Sequence, residues 1–171
     1  MNASQMDVTL KRLALQLIEK ENRLKDFVFV GIRSRGDIIM KRLAAIIAQS
    51  ADIEIPMGAL DITFYRDDLS RRAELPEVKQ TDIAFDITDK RIMLIDDVFY
   101  TGRTVRAAMD ALFAYGRPAL IRLLVLLDRD NHELPLSPDY VGMRPAVNPG
   151  DIVNVKLDET DGVDAVYIET K

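Results

Sequence analysis

Residues Arg91 to Thr104 read R-I-M-L-I-D-D-V-F-Y-T-G-R-T. An apolar run, Ile92 to Ile95, ends in two adjacent carboxylates, Asp96 and Asp97. A short apolar run with polar bounds fits a strand buried on both faces, as in a parallel sheet. Ligands of open α/β sheets bind at the carboxyl ends of strands, where Asp96 and Asp97 stand. Adjacent carboxylates there point to opposite sides, able to accept from vicinal sugar hydroxyls or hold a metal's hydration shell. Thr101, Gly102, Arg103 and Thr104 follow, with hydroxyls, a permissive backbone and a cation. Val105, Ala108, Met109 and Leu112 recur at helical spacing behind them. A helix begins where that turn ends, and its free N–H groups make an anion site. The pair of acids alone fits an ordinary solvated strand end. The whole arrangement implies a site for a sugar that carries a phosphate.

The rest of the chain reads as alternating strands and helices. Val8 to Glu21 is amphipathic, with Leu10, Leu13, Ala14 and Leu17 on one face. Phe27 to Ile32 is a β-rich apolar run, and Gly36 to Gln49 is helical with Ile39, Leu43, Ile46 and Ile47 inward. Met57 to Tyr65 reads as a strand, and the charged stretch Asp67 to Asp82, with Pro76, as a long loop of the kind that carries function. Arg91 to Asp96 is a strand and Thr101 to Tyr115 its helix, stopped by Gly116 and Pro118. Leu120 to Leu127 is a strong strand, Asn131 to Gly150 is irregular, and Ile152 to Leu157 and Val163 to Glu169 are short strands. The pattern predicts an α/β fold with a doubly wound parallel sheet.

Composition narrows the chemistry. The 171 residues are enough for one domain with a real core, 48% hydrophobic and 30% charged. No apolar stretch approaches a membrane span, and the first residues form no signal-peptide core, so no membrane partner and a cytoplasmic location are expected. With no cysteine and one histidine, thiolate chemistry is excluded and a zinc site disfavoured; any metal is a hard cation on oxygen. His132 lies in an expected loop with no partner in sequence, and reads as a solvated side chain. A net charge of −5 gives no global pull toward nucleic acid, which would need a local basic face.

A second turn, Gly31-Ile32-Arg33-Ser34-Arg35-Gly36, joins a strand to a helix with glycines at both ends and two arginines between. Backbone N–H groups and guanidinium forks suit an oxyanion there.

The Arg91–Thr104 segment resembles the phosphoribosyl pyrophosphate (PRPP) motif of type I phosphoribosyltransferases. Asp61–Ser70 (D-I-T-F-Y-R-D-D-L-S), Phe85–Asp89 (F-D-I-T-D), Asp96–Leu112 and His132–Pro135 (H-E-L-P) resemble, in order and over nearly the whole chain, the PyrR family. Those proteins are bifunctional pyrimidine operon regulators with uracil phosphoribosyltransferase activity. The resemblance implies one phosphoribosyltransferase domain over residues 1–171, with a small hood over the base from roughly Asp128 onward. It implies a glycosyltransferase that makes UMP and pyrophosphate from uracil and PRPP with Mg²⁺, and a homo-oligomer, dimer or higher.

Residue by residue, the resemblance implies that Val98, Phe99, Tyr100 and Thr101 to Thr104 hold the 5-phosphate and its surroundings. Asp96 and Asp97 would hold the ribose hydroxyls, Ser34 and Arg35 the pyrophosphate. Arg66 would take pyrophosphate from a flexible catalytic loop, with Arg71 and Arg72 as weaker candidates beyond it. Arg129 would contact uracil or pyrophosphate, the backbone of Ile152 and Val153 would read the base edge, and Asp158 would assist a metal otherwise bound through substrate. Purine-using relatives carry a carboxylate at the position of Tyr100. A tyrosine, with an unperturbed pKa of about 10, does not take a base proton near neutrality, which favours a pyrimidine.

The resemblance also implies binding to pyrimidine-leader mRNA, with Lys11, Arg12 and Lys20 as contributors from the first helix. Met143 to Pro149, however, is poor in lysine where the family has it, and Leu15 replaces a polar residue. Phosphate contacts dominate RNA affinity, so the enzyme motifs are fuller than the RNA-binding ones. The alternatives are a nucleotide sensor with vestigial catalysis, and a phosphoribosyltransferase for another base.

Overall fold

Strand β1 (Phe27–Ile32) is buried at all six positions, as the centre of a two-faced sheet requires. The computed structural model describes residues 1–67, 80–148 and 150–170. Five parallel strands follow the order β2-β1-β3-β4-β5, with β2 at Met57–Leu60, β3 at Arg91–Phe99, β4 at Leu120–Asp128 and β5 at Tyr140–Met143. Helices α1 (Ala3–Lys20) and α2 (Gly36–Ala51) cover one face, and α3 (Arg103–Tyr115) the other. Phe27 and Phe29 pack with Leu13, Leu17, Ile39 and Leu43, whereas Val28 and Val30 pack with Ala108 and Leu112. That alternation is the period-two signature of a strand between two layers of helix.

The strand order reverses between β1 and β3, and ligands of doubly wound sheets bind at such a switch point. The turns after β1 and β3 therefore open at the same place. Gly36, the first residue of α2, sits against β3 so closely that a Cβ would run into the carbonyl of Ile95 and lie 3.1 Å from the Cα of Asp96. A Cβ on Gly31 would likewise meet the backbone of Gly36 and Asp37. The two glycines let the start of α2 lie beside the carboxylates at the end of β3.

A second, antiparallel sheet pairs β6 (Ile152–Lys156) with β7 (Ala165–Glu169), and a short helix α4 (Asp158–Asp161) joins them. Arg42 of α2 ties this unit to the body: Nε donates to Glu159 at 2.9 Å and Nη1 and Nη2 to Asp164 at 2.9 and 2.8 Å. Strand β5 lies within the stretch expected to form the hood, yet it pairs with β4 in the main sheet.

Several elements differ from the sequence expectations. Helix α1 begins five residues before Val8, because Asn2 and Gln5 form a capping box and Met6 is buried. Met57–Tyr65 is not one strand: β2 stops at Leu60, and the N–H and hydroxyl of Thr63 bond to Asp61 Oδ1 at 2.8 and 2.6 Å, turning Thr63–Tyr65 into a 3₁₀ helix. Strand β3 runs on to Phe99 and α3 starts at Arg103 rather than Thr101. The stretch Asn131 to Gly150, expected to be irregular, contains β5. Among the described residues no helix is long and apolar enough to cross a membrane.

Gly36→Ala is expected to destabilise the protein by about 1–3 kcal/mol, the usual effect of forcing a carbon into a filled site. Thermal unfolding checks this, and an unchanged midpoint would show that α2 withdraws from β3 without penalty.

Candidate active site

The apolar run of β3 carries Asp96 into the protein, where it is 5% exposed, and Asp97 follows half-buried. Each carboxylate accepts from the next N–H: Asp97 N donates to Asp96 Oδ1 at 2.9 Å, and Val98 N to Asp97 Oδ1 at 2.8 Å. Burial raises the pKa of Asp96 well above the usual carboxylate range, and the neighbouring charge of Asp97 adds to it. Burial raises Asp97 too, against its bond from Asp96, the Val98 N–H and the charge of Arg35. The charge of Arg66 acts in the same opposing sense on Asp96. Two expected pyrophosphate arginines, on separate segments, thus act on the pair, Arg66 on Asp96 and Arg35 on Asp97.

Beyond the carboxylates the chain folds into an anion cradle. Gly102 has φ of 89°, a left-handed conformation natural to glycine, and it opens α3 without a side-chain cap. The N–H groups of the first turn point outward, where the helix dipole favours negative charge. Val98 to Val105, with Arg66 and Asp67, line a pocket of about 280 Å³. The carbonyl of Thr101 accepts from the N–H groups of Glu133 and Leu134 at 3.0 and 3.1 Å, pinning the loop after β4 against the cradle. Arg103 is held at the rim between Asp67 (2.8 Å) and Glu133 (2.9 Å).

A second pocket, about 340 Å³, adjoins the first. Tyr100, Arg129, Asp130, Asn131 and Pro145 to Asn148 line it. Tyr100 belongs to both pockets. The Arg129 guanidinium lies 3.9 Å from the centre of the Tyr100 ring, and its Nη2 donates to the Asp151 carbonyl at 2.7 Å. Such a stack fixes both side chains at the boundary between the pockets.

The expected site residues divide accordingly. Val98 to Thr104, Arg66 and Arg129 come together around the two pockets; Asp96 and Asp97, just before them on β3, are not among the residues lining either. Ser34 is exposed in the turn before α2, and Arg35 pairs with Asp161 of α4 at 3.3 Å. Ile152 and Val153 start β6 and are not among the residues lining either pocket; Pro145 to Asn148, read from sequence only as a lysine-poor stretch, are. Asp158 is exposed at the start of α4, its N–H donating to Asp164 at 2.9 Å. Arg71 and Arg72 lie outside the described residues.

Lys11 pairs with Asp7 at 2.8 Å, Arg12 donates to the Gly142 carbonyl, and Lys20 is exposed at the end of α1. At about 100° per residue, Lys11 and Lys20 fall on opposite sides of the helix.

Sequence reasoning missed Asp128. It is fully buried at the end of β4, and it accepts from Arg144 Nε at 3.2 Å and from the Asp130 N–H at 3.0 Å. His132 Nε2 lies 2.8 Å from Asp128 Oδ1, and its ring meets Phe99 edge-on with centroids 4.6 Å apart. Burial is the largest single influence on Asp128 and pushes its pKa up, but the bonds from His132 and Asp130 and the charges of His132 and Arg144 outweigh it and leave it low. An ionised carboxylate only accepts, so Nε2 carries the proton. His132 is therefore tethered to Asp128 and set against Phe99 while its side chain stays partly exposed, where the sequence suggested a free solvated one; the four-residue spacing from Asp128 was its only signal.

A family model described as the phosphoribosyl transferase domain matches residues 3–160. The Bifunctional protein PyrR of Chloroflexus aurantiacus is 49% identical over 98% of this chain and 92% of its own length. That of Deinococcus radiodurans is 46% identical over 93% and 87%, and that of Thermus aquaticus 45% over 100% and 94%. Among solved structures, a purine phosphoribosyltransferase from Pyrococcus horikoshii superposes with TM-score 0.63 at 25% identity, covering 85% of this chain and 86% of that one. A hypoxanthine phosphoribosyltransferase from Trypanosoma cruzi superposes with TM-score 0.74 at 16% identity, covering 99% and 92%, a likeness of fold alone.

The raised pKa values of Asp96 and Asp97 set a sign for stability. An acid whose pKa is higher folded than unfolded favours the folded state below its unfolded pKa and loses that advantage as pH rises through the folded one. Asp96→Asn, which keeps the oxygen that accepts from Asp97 N, is expected to melt higher than wild type at pH 7. The gap should close as pH falls toward about 4, the ordinary carboxylate range. Melting curves across that window test it, and a variant less stable at pH 7 would refute the burial cost.

Proposed function

The chain belongs to the phosphoribosyl transferase family and groups with its PyrR members; from that premise we propose that it transfers the phosphoribosyl group of PRPP to uracil and regulates pyrimidine genes through RNA. The observation that carries the first half is the pair of adjoining pockets that share Tyr100. The anion cradle of Thr101 to Thr104 suits the 5-phosphate, and the pocket of Tyr100, Arg129 and Pro145–Asn148 suits a planar base. Asp96 and Asp97, directly before the cradle on β3, suit the ribose hydroxyls. Tyr100 offers no carboxylate to a purine nitrogen, which favours uracil.

In the proposed reaction N1 of uracil bonds to C1 of the ribose as the bond from C1 to pyrophosphate breaks, and the N1 proton passes to the departing pyrophosphate or to solvent. Positive charge grows on the ribose and negative charge on the leaving group. Positioning the partners and stabilising those charges is most of what the protein must do. Arg35 and Arg66 stand with Asp96 and Asp97 and would receive the departing pyrophosphate. The buried carboxylates also fit a hydrated divalent cation, because a positive charge beside them favours the ionised form that burial opposes. Mg²⁺ carried by PRPP would supply that charge and offset the pyrophosphate's own, with Asp158 a further oxygen on the hood. Ser34 and the backbone of Ile152 and Val153 remain proposed contacts to pyrophosphate and base. A cytoplasmic homo-oligomer is the setting this reading implies.

Purified protein with PRPP, Mg²⁺ and labelled uracil is expected to form UMP, and Asp97→Asn to lower kcat/KM at least about a hundredfold, as loss of a charged contact in the transition state does. If PRPP binds and no UMP appears at any pH, the enzymatic reading fails and the site is a sensor.

For RNA, Lys20 and Arg12 are the first-helix cations about 80° apart. Binding to pyrimidine-leader RNA is expected to exceed binding to a scrambled RNA and to weaken steeply with salt. Equal retention of both RNAs in a filter assay would remove the regulatory role.

A further inference from the structure

Two arginines seven positions apart, Arg35 in the turn that opens α2 and Arg42 on the helix, face the hood, and they are held differently. Arg42 has two carboxylate partners, Glu159 and Asp164, at 2.5 to 2.9 Å. The Glu159 bond leads in raising its pKa above the ordinary value, and both carboxylates are held low in return. This arginine is committed. Arg35, just before the same helix, has one ion-pair partner among the described residues, at long range: its Nη2 lies 3.3 and 3.4 Å from the two oxygens of Asp161. Its Nε is buried and has no acceptor among the described residues. A guanidinium is a rigid fork that matches phosphate oxygens two at a time. Here one prong rests on a carboxylate, and another donor is already out of water and unpaired.

Asp161 does not depend on Arg35 for its position. Its Oδ2 accepts from the Leu157 N–H at 2.9 Å, and that bond, ahead of the charge of Arg35, keeps the carboxylate below its ordinary pKa. It is an ionised, anchored acid facing the turn that carries Ser34 and Arg35.

We infer that Asp161 is a positioning residue: it holds Arg35 in the ligand-free enzyme and competes with pyrophosphate for it. The inference rests on the proposal above that Arg35 receives the pyrophosphate. A single carboxylate on a guanidinium one-third exposed is a modest pair. Pyrophosphate, with more charge and oxygens enough for both Nη2 and the orphaned Nε, takes the arginine when it arrives. When the product is ready to leave, Asp161 recaptures it. The hood meanwhile stays on the body through Arg42, so the exchange at Arg35 does not release it.

Inorganic pyrophosphate with Mg²⁺ is the probe, measured as a product inhibitor and by calorimetry on the intact protein. Asp161→Asn keeps the oxygen that accepts from Leu157 N and removes the charge. It is expected to tighten pyrophosphate binding roughly two- to fivefold, the weight of a partly exposed ion pair, with KM for uracil unchanged. Glu159→Gln makes the same charge change on the same short helix and should leave pyrophosphate affinity within about twofold of wild type, while in an Arg35→Ala background Asp161→Asn should change nothing. Equal tightening by Glu159→Gln would mean a general field and overturn the inference, as would unchanged or weaker binding in Asp161→Asn with a wild-type melting curve. If Arg35→Ala alone leaves pyrophosphate binding intact, the assignment of Arg35 has failed first, a result distinct from either of those.

Discussion

Two carboxylates side by side at the buried end of a central strand are the constraint around which this molecule is arranged. Asp96 and Asp97 are carried there by the apolar run that makes β3 a core strand, and burial works against their charge. Cations and donors answer from several directions: the backbone N–H groups of Asp97 and Val98, Arg35 from the turn after β1, Arg66 from the segment after β2. That convergence needs α2 to start against β3, which is why Gly31 and Gly36 have no room for a side chain. The fold carries this unfavourable local arrangement at the strand end where the phosphoribosyl site is proposed.

The division into two pockets follows from what surrounds those acids. The anion cradle is built from backbone and small side chains at the start of α3, so its shape changes little without rearranging a helix. The second pocket is walled by the loop after β4 and by Pro145 to Asn148, segments with less structure of their own. Arg129 and Tyr100, stacked at 3.9 Å, form the partition. Asp128 and Phe99, the buried neighbours of Arg129 and Tyr100, brace that partition, with His132 bonded to the one and set edge-on to the other.

How far the sequence revealed this depends on how local each feature is. Strand β1 and the inward faces of α1 and α3 were readable because periodicity alone decides them. The cradle was readable because Asp96 to Thr104 is one continuous segment whose residue types state their chemistry. Strand β5 was not, since its four residues lie in a stretch rich in proline and glycine and form a strand only because β4 supplies the pairing. Helix α4 is four residues long and is held by Arg35 and Arg42, more than a hundred positions away. Asp67 and Glu133 on Arg103, and Pro145 to Asn148 beside Tyr100, share that character: contacts made between loops leave no pattern in the order of residues.

Strand β5 is also an open margin of the sheet, and such margins invite edge-to-edge association between molecules. Arg12 of α1 reaches across and donates to the carbonyl of Gly142 in the middle of that strand. A bulky cation thus sits on one of the acceptors that an incoming strand would need. The same side chain was singled out from sequence as a contact for RNA. Removing it would uncover the margin as well as subtract a charge, so an Arg12 variant that stops retaining RNA has two indistinguishable causes, self-association among them. Lys20, exposed at the end of α1, is the cleaner handle on the proposed RNA contact.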